Sequence, residues 1–156
     1  VSTAPDWRRA GTDDRACLLA MMRDFYAEDR IGFDPVRVER ALAALLAEPA
    51  CGEALLWLDA QAAVVGYAVW TRCFSLEQGG WHALLDELYL APAGRGRGRG
   101  ARALEIVAAR VRMAGLARLR LEVNRHNAAA RRLYLRRGFR DEARDLLTLD
   151  LAGGPA

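Results

Sequence analysis

The sequence predicts a single mixed α/β domain, one sheet of about six to seven strands with helices on both faces. Three observations carry that prediction. The chain has 156 residues, 53% of them hydrophobic and 28% charged, which suits one domain and is too apolar for a disordered segment. The hydrophobic period changes from helical to alternating after Pro49 and turns helical again from Ala101. Between those regions Gly94, Gly96, Gly98 and Gly100 punctuate the chain, where a strand must turn into a helix.

The elements follow in order. Trp7-Arg-Arg-Ala reads as a short first strand. Asp13 or Asp14 caps a helix whose apolar positions Cys17, Leu18, Met21, Met22, Phe25 and Tyr26 recur at helical spacing. Asp34-Pro35 opens a second helix through Val38, Leu42, Leu45 and Leu46, ending near Pro49. Ala54–Asp59 and Ala62–Phe74 form two strands joined by a turn at Ala60-Gln61, and Trp81–Leu90 forms a third, stopped by Pro92. Ala101–Ala114 is an amphipathic helix ended by Gly115. Leu119–Val123 alternates as a strand, Asn127 caps a helix to about Arg137, and Leu146–Leu151 reads as the last strand. The order is β-α-α-β-β-β-α-β-α-β, with room for one more strand. The domain covers residues 1–152, and 153–156 are expected as a flexible tail.

Composition excludes several function classes. Cys17, Cys51 and Cys73 are widely spaced without a C-x-x-C pair, so neither a disulfide framework nor a zinc site is indicated, and packing roles are expected for them. With only His82 and His126 as histidines, no metal is expected. All 23 basic residues are arginine, which excludes a lysine Schiff base and a Walker-type phosphate lysine. No apolar run approaches the ~20 residues of a membrane span, and no signal-peptide pattern opens the sequence. A soluble cytoplasmic protein is expected. Residues 1–94 carry 8 arginines against 14 acids, and residues 95–156 carry 15 against 6. Such a split can arise from solvated helix faces, or from an anionic partner held by the second part and a cationic one by the first.

The turn from Arg95 to Ala101 is a ready anion site, because glycines let a ligand approach the backbone and the following helix directs its first N–H groups outward. Arg95, Arg97 and Arg99 add charge that does not titrate. A pyrophosphate is the natural guest. Gly96, Gly98 and Ala101 match G-x-G-x-x-A, with Glu122 placed for a ribose contact, but the chain has no room for both halves of a dinucleotide-binding fold. An Arg/Gly-rich RNA-interaction tract is the other alternative; such tracts are disordered, whereas this one is wedged between a strand and a helix.

Arg95-x-x-Gly98-x-Gly100, after Leu88-Tyr-Leu-Ala-Pro92, resembles the acetyl-CoA signature of the GNAT N-acetyltransferase superfamily. Leu121-Glu-Val123, Asn127, Ala130-Arg-Arg-Leu-Tyr134 and Gly138-Phe139 resemble the strand and helix that follow it there. The resemblance covers residues 86–139. It implies an enzyme that moves an acetyl group from acetyl-CoA to a primary amine by direct attack in a ternary complex. It also implies that acetyl-CoA lies between the strands at Leu84–Leu90 and Arg118–Val123. Main-chain groups along Leu88, Tyr89 and Leu90 would hold the pantetheine arm. Arg95, Gly96, Arg97, Gly98, Arg99, Gly100 and Ala101 would hold the pyrophosphate, and Asn127, Ala130 and Tyr134 would share the helix face toward the cofactor. Asn127 also serves as a plain helix cap.

Tyr134 is the expected acid, a phenol near ~10 donating to a leaving thiolate near ~8.5. The base is expected from Glu87, then Asp86, then Glu122. The first two match the position of paired carboxylates in spermidine/spermine-type members, and Glu122 matches one used by ribosomal N-terminal acetyltransferases. The acceptor wall is expected from the end of the first helix, where Phe25, Tyr26, Glu28 and Asp29 combine acids with aromatics and suit a cationic amine; a solvated helix end is the alternative. No nucleic acid or membrane partner is expected, and a homodimer is allowed.

Overall fold

The computed structural model describes residues 6–152, so the expected tail at 153–156 lies outside the described residues. In chain order the elements are β1 (Trp7–Arg9), α1 (Arg15–Glu28), α2 (Pro35–Ala47), β2 (Gly52–Leu58), β3 (Val64–Ser75), β4 (Gly80–Leu90), α3 (Arg99–Met113), β5 (Leu119–Leu121) and α4 (Ala128–Arg136). The strands form one sheet in the order β1-β2-β3-β4-β5, with every neighbouring pair antiparallel except the parallel pair β4 and β5.

Alternation along the strands builds two cores, one on each face. Ala54, Leu56, Tyr67, Val69 and Tyr89 meet Leu18, Met21 and Met22 of α1 and Leu42 of α2. Leu55, Trp57, Ala68, Trp70, Ala83 and Leu85 meet Leu104, Ile106, Val107 and Val111 of α3, with Leu133 and Tyr134 of α4 against the edge. All seven residues of β2 are buried, as a strand covered on both faces requires. The Asp34 carboxylate accepts the Arg37 N–H at 3.1 Å and caps α2. Glu53, only 9% exposed, accepts from Arg110 Nε at 3.0 Å and from Trp70 Nε1 at 3.3 Å, which straps α3 to the sheet. Burial pushes the Glu53 carboxyl up, but Arg110 outweighs it and holds the group below the ordinary carboxylate range.

One irregularity in the ladder has consequences for function. Val69 pairs with Glu87, and the next residue, Trp70, pairs with Leu85, so Asp86 is an extra residue in β4. The bulge shifts the alternation by one. Leu85 joins the α3 face before it and Leu88 and Leu90 join that face after it, which sends Glu87 and Tyr89 toward α1.

Four expectations are corrected. The sheet has five strands among the described residues, fewer than the six to seven expected. The strand expected at Leu146–Leu151 does not form, and Leu146, Leu147, Leu149 and Leu151 are 71%, 90%, 81% and 91% exposed. Alternation records that a segment suits a pleated surface; a strand also needs a ladder partner, and this segment has none among the described residues. The strand expected at 118–123 shortens to Leu119–Leu121. Cys17 and Cys51 are exposed rather than packed. No helix among the described residues is long and apolar enough to cross a membrane.

Candidate active site

The site begins where the two parallel strands part. β5 pairs with β4 only from Ala83 to Leu85, so residues 86–90 run on without a strand on that side. Leu88, Tyr89 and Leu90 therefore border an open slot, although the Leu90 carbonyl already accepts Arg95 Nε at 2.7 Å.

Beyond β4 the chain makes a tight turn. Gly94 is obligatory, since a Cβ there would lie 2.6 Å from the Val65 carbonyl oxygen. Gly96, Arg97 and Gly98 follow with φ of 84°, 53° and 73°, and Gly98 caps α3 in the left-handed conformation. Gly100 and Ala101 lie in the first turn of α3, where N–H groups have no partner inside the helix. Opposite stand Leu133, Arg136 and Arg137 of α4, and together these residues line an open groove of about 490 Å³. The α3–α4 approach is close here, with a Gly100 Cβ position only 3.0 Å from Leu133 Cδ2. Glycine-exposed backbone, free first-turn donors and flanking guanidinium groups fit a pyrophosphate. Arg136 and Arg137 were not among the residues singled out from the sequence. Their position one turn beyond Leu133, on the helix facing the glycines, was the available signal.

The arginines of the turn divide. Arg97 is exposed. Arg99 has a buried Nη1 without a hydrogen-bond partner and lines both the groove and a cavity of about 170 Å³ beside Trp57 and Ile106. Arg95 turns away toward Glu28, with Nη2 at 2.6 and 2.8 Å from its carboxylate oxygens. The expected phosphate arginine and the expected substrate acid are thus each other's partner, and they tie the end of α1 to the turn. Asp29 is also engaged. It accepts Asn124 Nδ2 at 2.6 Å and Asn127 Nδ2 at 3.4 Å, and His126 Nε2 lies 3.2 Å away. Asn127 meanwhile accepts the Ala130 N–H at 3.2 Å as the cap of α4. Together with Arg102–Asp6, Arg110–Glu53 and Arg144–Glu77, these contacts spend much of the charge split on internal pairing between the acidic and basic parts.

Two carboxylates that no arginine pairs among the described residues, Asp86 and Glu87, lie together at the bulge. Glu87 accepts hydrogen bonds from the phenols of Tyr26 and Tyr67, the latter at 2.6 Å. Burial pushes its pKa above the ordinary value; the two phenols oppose that and the Asp86 charge adds to it. Desolvation also raises Asp86, although its side chain remains accessible. Around Glu87 the rings form a wall: Tyr26 packs edge-on against Phe25 and Phe33 at 5.7 and 5.6 Å, and Tyr89 lies 5.9 Å from Phe25 and 6.0 Å from Tyr67. Tyr67 was missed by the sequence reading; the available signal was its place two residues before Val69 on the same face of β3, opposite Tyr89. Glu122 is exposed and makes no ion pair or side-chain hydrogen bond among the described residues.

Tyr134 is half-buried against Phe139, ring centroids 5.7 Å apart, and its hydroxyl has no protein partner among the described residues. Burial, assisted by the Asp29 charge, has its pKa pushed up to about 12, so the phenol keeps its proton at neutral pH. No group of three or more potential metal ligands occurs among the described residues.

Comparison with known proteins agrees with this anatomy. The sequence profile of the Acetyltransferase (GNAT) family matches residues 19–139. An integron cassette protein from the mobile metagenome of the Cole Harbour salt marsh is 32% identical and superposes with a TM-score of 0.82, over 98% of this chain and 95% of that one. A Clostridium acetobutylicum protein, described as a predicted acetyltransferase with acetyl-CoA, is 16% identical with a TM-score of 0.77, over 93% and 95% of the two chains. The ribosomal-protein-alanine N-acetyltransferase of Brucella melitensis biovar Abortus 2308 is 18% identical with a TM-score of 0.72, over 94% and 100%. No curated protein matches in sequence.

Proposed function

The chain belongs to the Acetyltransferase (GNAT) family, and from that premise we propose that it acetylates a primary amine on a cationic acceptor, by direct attack in a ternary complex with acetyl-CoA. The observation that carries this reading is the β4 bulge. It puts Glu87, fixed by Tyr26 and Tyr67, and the accessible Asp86 at the stretch of β4 that has lost its β5 neighbour. Two partly desolvated carboxylates without an arginine partner attract an ammonium group, and the surrounding rings suit its alkyl or cationic body.

When bound, acetyl-CoA supplies an acetyl thioester, an activated acyl group whose leaving group is a thiolate. The groove of Gly96, Gly98, Gly100, Ala101, Arg136 and Arg137 would hold its phosphates, and the open edge at Leu88 and Tyr89 would take its arm. An alkyl ammonium near 10.4 must lose its proton before it attacks, at a cost of about 4 to 5 kcal/mol at neutral pH. Glu87 accepts that proton through a water, and its raised pKa narrows the mismatch with the amine. Tyr134 holds a proton on Oη for the departing sulfur. A phenol pushed up to about 12 is a weaker acid than usual and stays protonated at neutral pH. No covalent acyl-enzyme is required.

Assay of thiol release over a panel of acceptors tests the proposal. Amines with a second positive charge should be preferred over neutral and acidic amines, and the preference should shrink with added salt because exposed attraction is screened over ~8–10 Å. A best acceptor that is acidic, or a hydroxyl in place of an amine, would refute it.

A further inference from the structure

Two buried donors lack partners among the described residues where α3 faces the end of β2. One is Trp57 Nε1, on an indole only 5% exposed, and the other is Arg99 Nη1. Both residues line the cavity of about 170 Å³. The pyrrole edge of the indole lies over Gly66, where a Cβ would come 2.9 Å from Trp57 Cδ1 and 3.0 Å from Leu90 Cα. Leu90 lines the same cavity, so the ring edge that carries Nε1 faces this space. Buried donors left bare carry a desolvation cost that an acceptor entering the cavity removes.

The lining selects the guest. At the mouth Arg102 Nε donates to Asp6 at 3.0 Å, and Asp59 Oδ1 accepts the N–H groups of Gln61 and Ala63, each at 2.9 Å. Asp6 and Arg102 neutralise each other and Asp59 is bound to its own turn, which leaves the Arg99 guanidinium without a counter-charge among the described residues. A guest with two negative charges would meet Asp6 and Asp59 as well, so a single charge fits better. The floor of Trp57, Leu58, Ala103 and Ile106 is apolar. The space is several times the ~30 Å³ that one water occupies, so it takes more than a bridging solvent molecule.

We propose that this cavity binds a small carboxylate with a short apolar tail, its oxygens on Trp57 Nε1 and Arg99 Nη1 and its tail against Ala103 and Ile106. The site also regulates. Arg99 lines the phosphate groove too, so a carboxylate in the cavity and the phosphates of acetyl-CoA compete for one guanidinium, and each weakens the other by the same factor. That coupling rests on the reading of the groove as the phosphate site; occupancy of the cavity does not.

The test is to follow the indole N–H signals of the four tryptophans, assigned by triple-resonance NMR in the wild-type chain, while sodium propionate replaces chloride at constant ionic strength. The Trp57 signal should move downfield and saturate with propionate, and should stay in place with propionamide or n-propylammonium. Arg99→Gln, at the half-buried start of α3, should abolish the shift. In calorimetric titration, saturating propionate should weaken acetyl-CoA binding to the wild type by about fivefold or more. An unmoved Trp57 signal, an equal response to propionamide, or a shift that persists in Arg99→Gln would each overturn the site. A saturable Trp57 shift with unchanged acetyl-CoA affinity would overturn the coupling. Failure of acetyl-CoA to bind without propionate would overturn the reading of the groove and leave the cavity standing on its own signal.

Discussion

The glycine turn and the bulge cluster lie at opposite ends of one short stretch of β4, yet they are built in different ways. The turn is local. Its backbone geometry comes from Gly96 and Gly98 and from the first turn of α3, all within a few residues, although the facing wall of Leu133, Arg136 and Arg137 comes from α4. The cluster is long-range. Glu87 receives Tyr67 from 20 residues away and Tyr26 from 61. A local device can bind an anion in any protein that contains it, which is why phosphate sites recur on many folds. A long-range cluster exists only when the whole fold is in place, and it is there that selectivity for an acceptor can be built.

The largest effect expected is on the acid. Tyr134→Phe should lower turnover by about 10²–10⁴ with acetyl-CoA affinity little changed, measured by steady-state kinetics and calorimetric titration. Unchanged turnover would leave the two regions without the chemical link between them. Next is the turn itself. Gly98→Val forces a β-branched residue to φ 73°, a strained conformation. Acetyl-CoA should bind at least about tenfold more weakly as the backbone donors shift, while a small amine inhibitor competing at the bulge binds as before. Equal loss at both would show that the regions are not separable.

What could be read from the sequence follows the same division. The turn, the caps at Asp34 and Asn127 and the amphipathic helices depend on neighbours in the chain, and all were legible. The bulge was not. It is a register shift between β3 and β4, and the adjacent acids of Leu85-Asp-Glu-Leu88 break the alternation without showing where the ladder shifts. Glu28 was read as a substrate anchor because its partner Arg95 lies 67 residues away, and Asp29 because Asn124 and Asn127 lie more than 90 away. The Leu146–Leu151 strand was overread for the converse reason. Its local pattern is sound, but it pairs with no strand among the described residues.

A smaller effect concerns stability. Desolvation raises the Asp86 pKa in the folded chain, so folding binds a proton more tightly there. Stability contributed by the neutral form is then present below the ordinary value of 3.8 and is lost as pH rises through the raised one. Asp86→Asn should melt with wild type at pH 3 and slightly above it at pH 7; the opposite order would show that Asp86 is favourably paired.

The most direct test of the central claim is the pH dependence of kcat/KM for the preferred amine in wild type and Glu87→Gln. Glu87 must be deprotonated to accept the amine proton, and its pKa stands above the ordinary 4.5. Wild-type activity should therefore fall on the acidic side at a pH above that value. Glu87→Gln should lose about 10²-fold or more at the optimum and lose that limb, with acetyl-CoA affinity unchanged. A glutamine variant with the wild-type profile and rate would contradict the account.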